Sequence, residues 1–141
     1  MSTRLPFPPR SPRGPDRGDR GSVTLEMVIL FPAVLLMSFG LIQGALWYHA
    51  RTVAMAAAEE ALDAARAQHG TEAAGQAVAR SFLGRAGDNL RDARVVVHRV
   101  AATVTVTVTG TSVSVLPGVP GAAVSQTVSG PVERFTTAGG A

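Results

Sequence analysis

The side chains that could carry out chemistry are few in this chain, and their spacing is not that of a catalytic or metal-binding site. The sequence has no cysteine, which excludes disulfide bonds and thiolate chemistry. No two of His49, His69 and His98 are spaced to share one helix face with a carboxylate as metal ligands. A phosphate-binding glycine loop and a nucleophile elbow are also lacking. We therefore expect a non-enzymatic protein with no metal, no cofactor and no small-molecule substrate.

A long apolar run near the start of the chain organises the rest of the sequence. No Asp, Glu, Lys or Arg occurs between Glu26 and Arg51. At about 1.5 Å per helical residue, residues 27–48 reach roughly 33 Å, enough to cross a hydrocarbon core about 30 Å thick. The run ends in a Trp-Tyr pair, the aromatic residues that membrane–water interfaces favour. The sequence predicts one transmembrane helix, which we assign to residues 21–50.

The charge distribution predicts the orientation of this helix. Residues 1–20 hold five arginines and two aspartates, which together equal the formal net charge of the whole chain, +3. A basic segment beside a transmembrane helix sets topology and contacts anionic lipid, so we expect no nucleic-acid partner. The prediction is a single-pass protein of the cell membrane, with the N-terminus cytoplasmic and the C-terminal domain extracytoplasmic.

Residues 1–20 are rich in Pro, Arg, Gly and Ser, which predicts a disordered cytoplasmic leader. Two alternatives remain open at this point. A cleavable signal sequence would release a small secreted binding domain that begins near Ala57. An uncleaved anchor would give a membrane-bound binding or accessory protein.

The apolar run has internal features that suggest a helix lying beside other helices. Gly40 and Gly44 form a small-xxx-small pair, which lets two helices approach closely, although such a pair is also frequent by chance. Gln43 lies within this pair and is a candidate hydrogen-bond donor to a neighbouring helix. Glu26 is either an interfacial charge favoured by the helix dipole or a partner for another subunit. Pro32 is expected to kink the helix.

Beyond the membrane, an alanine-rich sequence predicts that the helix continues as an amphipathic stem over residues 49–70. We expect its apolar stripe to pack in a core rather than against a partner. The stripe consists of Met55, Ala58, Leu62, Ala65 and His69. Thr71 is a candidate N-cap for a second helix, which is predicted to end near Leu83.

The remaining sequence predicts a small antiparallel sheet of about three to four strands, so the fold class is α+β. Residues 93–100 and 103–109 are predicted to form a hairpin, and in the second strand Val104, Val106 and Val108 share one face. A loop rich in Pro and Gly leads to a last strand over residues 124–135. The helix-plus-sheet domain spans residues 51–136, and residues 137–141 form a flexible tail.

The start of the apolar run resembles the processing site of type IV prepilins. Gly21 is followed by Ser22, and Glu26 is the fifth residue after the glycine. Together with the alanine-rich continuation, this pattern is similar to the TadE/TadG-like proteins of the tight-adherence pilus machinery. The tail sequence GPVERF resembles that of short actinobacterial members. Where related pseudopilins often have tyrosine after the glutamate, this chain has Met27.

The resemblance implies a pseudopilin-type structural component rather than an enzyme. Its expected partners are the membrane, other pilus-assembly or pilin-like subunits and a prepilin peptidase. Cleavage after Gly21 would leave Ser22 with a free α-amine. The Glu26 carboxylate would then pair with the amine of a neighbouring subunit, because two opposite charges cost less together in a low-dielectric environment than either does alone.

Overall fold

The computed structural model describes residues 19–133, and these form two helices and three strands. In chain order these are α1 (Asp19–Arg66), α2 (Glu72–Ala86), β1 (Leu90–Arg99), β2 (Thr103–Ser112) and β3 (Ala123–Pro131). The α+β prediction is confirmed, with three strands in the sheet. The main part of the predicted leader, residues 1–18, and the predicted tail, residues 137–141, lie outside the described residues.

The described chain divides into two compact units, one ending at Leu36 and the other beginning at Met37. In the first unit, α1 includes Pro32 within the helix. Its large apolar side chains are exposed from Met27 onward. Because burial of apolar surface is the main driving force for folding, a helix with exposed side chains of this size is expected to be covered by something other than the described residues.

In the second unit, the part of α1 that follows the apolar run has a buried face made mostly of alanine, together with Val53. The alanines on this face are each 0% exposed: Ala50, Ala54, Ala57, Ala58, Ala61 and Ala65. Their spacing places them on one side of the helix, and they form a single cluster with the buried valines of the sheet. The predicted continuation of the helix and its packing in a core are confirmed.

The prediction of which residues form the apolar stripe is partly wrong. Met55 is 36% exposed and His69 is also exposed, so neither belongs to the core. Leu62 is partly buried and packs against the cluster. The physical reason is helix geometry: Met55 follows Ala54 and lies about 100° around the helix from it, off the buried face, and His69 lies beyond the end of α1 at Arg66.

The connection between the helices begins earlier than predicted, because the stem ends four residues before residue 70. α1 ends at Arg66, and Gly70 donates its backbone N–H to the Ala67 carbonyl at 2.8 Å. The Thr71 hydroxyl accepts from the Ala74 N–H at 3.0 Å, which confirms the predicted N-cap. The second helix continues to Ala86, three residues beyond the predicted end.

The sheet is an antiparallel meander in the order β1-β2-β3, and the predicted hairpin is confirmed. The inward-facing valines of β2, Val104, Val106 and Val108, are each 0% exposed. The first strand begins at Leu90, before the predicted start, because a bulge between Arg91 and Arg94 lets pairing continue.

The bulge lies opposite Gly110. A Cβ at Gly110 would come within 2.7 Å of the Leu90 side chain, so this position requires glycine. The extra residue of the bulge lies on β1, the strand that pairs with β2 at this point.

The two ends of the sheet lie beside different parts of α1. At one end, the β1–β2 turn closes with a bond from the Val100 N–H to the Thr103 carbonyl at 2.9 Å. Near that end, Glu133 donates its backbone N–H to the Arg66 carbonyl at 2.9 Å. The opposite end carries the connection between β2 and β3, residues 113–122, which lies beside the end of the apolar run.

Candidate functional site

The predicted processing residues lie in the first turns of α1. Gly21, Ser22 and Glu26 are all helical, and the Glu26 side chain is exposed. Glu26 is four positions after Ser22 in the helix, so an amine created at Ser22 would lie about 6 Å along the helix axis from the carboxylate of the same chain. The exposed position leaves the Glu26 carboxylate accessible to another molecule.

The two glycines of the predicted helix contact lie on an open surface. A Cβ added at Gly40 or Gly44 would meet nothing within 4 Å, and both residues are exposed. No part of the described chain therefore requires glycine at these positions for close packing. The surface is free for a contact with a second helix.

The third residue of that set, Gln43, has partners within the same chain. Its amide nitrogen donates to the Val113 carbonyl at 3.3 Å, and its amide oxygen accepts from the Val115 N–H at 3.2 Å. The side chain thereby joins α1 to the connection between β2 and β3. Its predicted bond to a neighbouring helix stays a prediction, and such a bond would compete with these two.

Trp47 also joins the apolar run to the sheet domain. Its indole N–H donates to the Ala123 carbonyl at 3.2 Å, at the first residue of β3. The Arg51 guanidinium lies 5.8 Å from the centre of the indole ring, within the range of a cation–π interaction. Tyr48, next to Trp47, is largely exposed.

The sheet has two outer edges, and they are not equivalent. At β1, the Glu72 carboxylate of α2 accepts from the Arg99 N–H at 2.6 Å and caps the end of that edge. No described strand pairs with the outer edge of β3. A shallow groove of about 410 Å³ adjoins this strand. It is lined by Tyr48, Arg51, Thr52, Met55, Ala56, Glu59 and Gln126.

These surfaces offer contacts rather than reactive groups. Within residues 19–133, no three His, Asp or Glu side chains come together as a metal-binding cluster. The polar side chains at the end of the apolar run bond to backbone groups, which positions elements and transfers no proton.

The loop that binds Gln43 was not identified as a functional element from the sequence. Its partner lies 70 residues away along the chain, so no local pattern connects them. One signal was available: no charged side chain occurs between Arg99 and Glu133. An uncharged segment of this length is unusual on the surface of a water-exposed domain.

Comparison with known proteins gives one match. Residues 21–66 match the family model of TadE-like proteins, which confirms the resemblance seen in the sequence. The matched residues contain the predicted processing site, the apolar run and the alanine face. No curated protein and no solved structure matches the chain.

The match suggests a component related to the tight-adherence pilus, a family role that is structural rather than enzymatic. The apolar part of α1 has a mean hydropathy of 2.1, and none of that segment is buried by the described residues. A helix of this length and composition near the N-terminus suggests membrane anchoring.

Proposed function

We propose that this chain, whose residues 21–66 are TadE-like, is a membrane-anchored structural component that acts in tight-adherence pilus biogenesis or secretion. The observation that carries the proposal is the family match on a helix whose apolar half is uncovered. The chain would act through helix–helix contacts in the membrane and strand-edge contacts outside it. Its partners would be other pilus-assembly or pilin-like subunits, together with a prepilin peptidase if the site after Gly21 is cut.

In the proposed topology, residues 1–20 stay in the cytoplasm and the helix-plus-sheet domain lies outside the membrane. The arginines of the leader favour this orientation. The exposed large side chains that follow Glu26 would contact lipid, where they need no protein cover. The buried alanines, in contrast, already pack against the sheet.

The proposed contact between helices uses Gly40 and Gly44. Both are exposed, and the space beside them is empty, so a second helix can approach the backbone of α1 closely. Since both polar atoms of Gln43 already have partners, the glycine surface alone supports this contact.

The proposed role of Glu26 is to set the register between neighbouring helices. Its exposed carboxylate lies beside an open apolar surface of the helix that includes Met27 and Phe31. A charge at such a position favours one alignment of a neighbour, the one that brings a cation opposite it. The Ser22 amine that processing would create in a neighbouring subunit is that cation.

Outside the membrane, we assign the partner contact to the outer edge of β3. An exposed edge strand presents unpaired N–H and C=O groups, onto which another strand can add. The groove beside β3 supplies Met55 and Tyr48 for side chains of the added strand. This contact needs no reactive group.

A secreted binding domain released near Ala57 is the weaker alternative. Cleavage there would remove Ala50 and Ala54, both 0% exposed, from the core of the domain. It would also remove Gln43 and Trp47, which bond to the sheet domain. A released domain would lose packing and hydrogen bonds that the intact chain has.

The experiment that tests the proposal is to identify the first residue of the mature protein in membrane fractions of its native host, by intact mass and terminal peptide. A start at Ser22 supports pseudopilin-type processing. A start near Ala57 in the medium would make the protein a secreted domain. An intact Met1 or Ser2 would leave an anchored protein without pilin-type processing and would remove the proposed amine partner of Glu26.

The role of Glu26 is tested separately by Glu26→Ala, with Glu60→Ala as a matched control because Glu60 is an exposed glutamate of the stem. We expect both variants to insert in the membrane and only Glu26→Ala to lose co-purification with partner subunits. Equal co-purification of the two variants would reject the register role.

A further inference from the structure

The connection between β2 and β3, residues 113–122, has a composition suited to lipid rather than to water. It contains no charged side chain, and its exposed apolar residues include Val115, 40% exposed, and Val119, 51% exposed. Two prolines, Pro117 and Pro120, are exposed beside them. A surface loop of a water-facing domain is normally polar, so this composition calls for a partner.

The position of the loop identifies that partner. Gln43 bonds to the loop at Val113 and Val115. Gln43 lies five residues before Tyr48, about 7 Å along the helix axis. If the Trp-Tyr pair lies among the lipid headgroups, the loop backbone at Gln43 reaches the boundary between headgroups and acyl chains. The loop therefore meets the membrane because it is fixed to the end of the apolar run.

The loop can tolerate this environment because many of its backbone donors have partners. An unpaired backbone N–H costs several kcal/mol away from water, and proline has none. Four of the remaining residues donate to groups within the same unit. These bonds run from Val115 to Gln43 at 3.2 Å, from Leu116 to the Ser114 hydroxyl at 3.2 Å, from Val119 to the Leu116 carbonyl at 3.2 Å and from Ala122 to the Ser112 hydroxyl at 3.0 Å.

The base of the loop is also fixed in place. The Ser112 N–H donates to the Ala122 carbonyl at 2.9 Å, and the buried Ser112 hydroxyl accepts from the Ala122 N–H. A Cβ at Gly121 would collide with the Ser112 carbonyl oxygen, so only glycine permits this close approach. The loop is therefore held in one place beside α1.

We propose that residues 113–122 form a membrane-docking loop, which lies in the headgroup region of the outer leaflet with Val115 and Val119 directed into lipid. This inference rests on the membrane anchoring in the proposed function. The occupant is the lipid interface, because the loop is continuous with the end of the apolar helix and carries no charge for an ionic partner. The loop fixes the height and tilt of the sheet domain above the membrane.

The test uses single cysteines in the full chain, which has none of its own. Val119→Cys places an environment-sensitive fluorophore on the loop. Val100→Cys is the matched control, because Val100 is an exposed valine, 64%, in the turn at the opposite end of the sheet. Met37→Cys, on an exposed residue of the apolar run, reports insertion of the helix. Each labelled protein is reconstituted in vesicles of equal parts phosphatidylcholine and phosphatidylglycerol, with iodide on both sides or with nitroxide-labelled lipid.

We expect the label at position 119 to emit at shorter wavelength than the label at position 100. It should lose most of its iodide quenching and be quenched by the nitroxide lipid, while the label at position 100 behaves in the opposite way. Iodide quenching at 119 equal to that at 100, with position 37 protected, would overturn the docking loop and leave the anchoring intact. Iodide access at position 37 as well would reject the anchoring itself.

Protection at position 119 from both iodide and nitroxide lipid would mean that protein covers the loop, which also overturns the lipid assignment. Val115→Cys provides a second loop position. If the label at 119 disturbs the fold, the Trp47 emission spectrum will change relative to the unlabelled protein, and position 115 then decides the result.

Discussion

The two halves of α1 belong to one helix but are covered in different ways. Around residues 27–42 the helix carries large apolar side chains, and most of them are more than 40% exposed. From Ala50 to Ala65 its inward face is alanine apart from Val53, and each alanine of that face is fully buried. Within residues 19–133 no element packs over the first half, whereas the sheet packs over the second half.

The difference shows that side-chain size, and not hydropathy alone, distinguishes a lipid-facing helix from a sheet-facing one. Lipid chains are fluid and adapt to a rough surface of Leu, Ile, Phe and Met. A sheet is a fixed surface, and the small side chain of alanine lets the helix backbone approach it closely. Gln43 and Trp47 lie where the two halves meet, and both bond to the sheet domain.

The strongest test of this comparison places the same change in both halves. Ala61→Leu adds volume to a fully buried position and should destabilise the domain by about 3 kcal/mol, because the sheet cannot move away without loss of packing. Ala33→Leu, on an exposed position of the apolar half, should change the free energy of unfolding by less than about 0.5 kcal/mol. Denaturant unfolding in detergent micelles, followed by Trp47 emission, measures both. Equal losses of unfolding free energy in the two variants would refute the distinction between the two halves of α1.

A second test acts on the junction. Gln43→Leu should destabilise the docking of the sheet domain by about 2 kcal/mol, because it leaves the Val113 carbonyl and the Val115 N–H without their partner. Gln68→Leu is the control, since Gln68 is exposed beyond the end of α1. Hydrogen exchange of the Val115 amide should become faster in the first variant only. Unchanged exchange would show that the loop holds its position without Gln43.

A third test asks whether the apolar half also contacts a second helix. Replacing Gly40 and Gly44 together by leucine should leave the unfolding of the domain unchanged, since the space around both is empty. It should weaken association in the membrane by about 1–2 kcal/mol. Gly84→Leu, at an equally open glycine of α2, controls for the added bulk. Crosslinking yields that do not differ between the variants would assign these glycines no role in association.

The smallest effect is expected at the far end of the sheet-facing half. The Arg66 guanidinium lies 3.0 Å from a carboxylate oxygen of Asp63 and 3.5 Å from one of Glu133. All three side chains are at least partly exposed. Arg66→Ala should therefore cost no more than about 0.5 kcal/mol, and high salt should remove most of the difference from the unsubstituted protein. A loss above 1 kcal/mol that salt does not change would show that the aliphatic part of Arg66 packs in the core.

The elements of the fold that depend on local sequence were predicted well. The hydroxyl of Thr71 caps α2, and the alternation of valine and threonine in β2 gives its buried face, because both rules act within a few residues. The apolar run and the prepilin-like pattern around Glu26 indicated the family, and the match over residues 21–66 agrees.

Features that depend on long-range packing were not predicted. The spacing of the larger apolar residues favoured Met55 for the core, but the sheet covers the face of Ala54 and Ala58, and the helix sequence alone does not reveal which face is covered. The early start of β1 depends on a bulge across from Gly110, which is visible only once the strands are paired. The bond from Gln43 to the Val113 carbonyl was not predicted because the two residues are 70 positions apart in the sequence.

The order of the strands has a consequence for solubility. β2 carries the sequence TVTVTVT, which combines β-branched residues with no charge and no proline, the composition of segments that form amyloid-like aggregates. In the folded sheet, β1 and β3 pair with both edges of β2, so its backbone is not available to another chain. A variant that detaches β3 would uncover this strand. Substitutions that destabilise β3 are therefore expected to give insoluble protein rather than a soluble protein of reduced function.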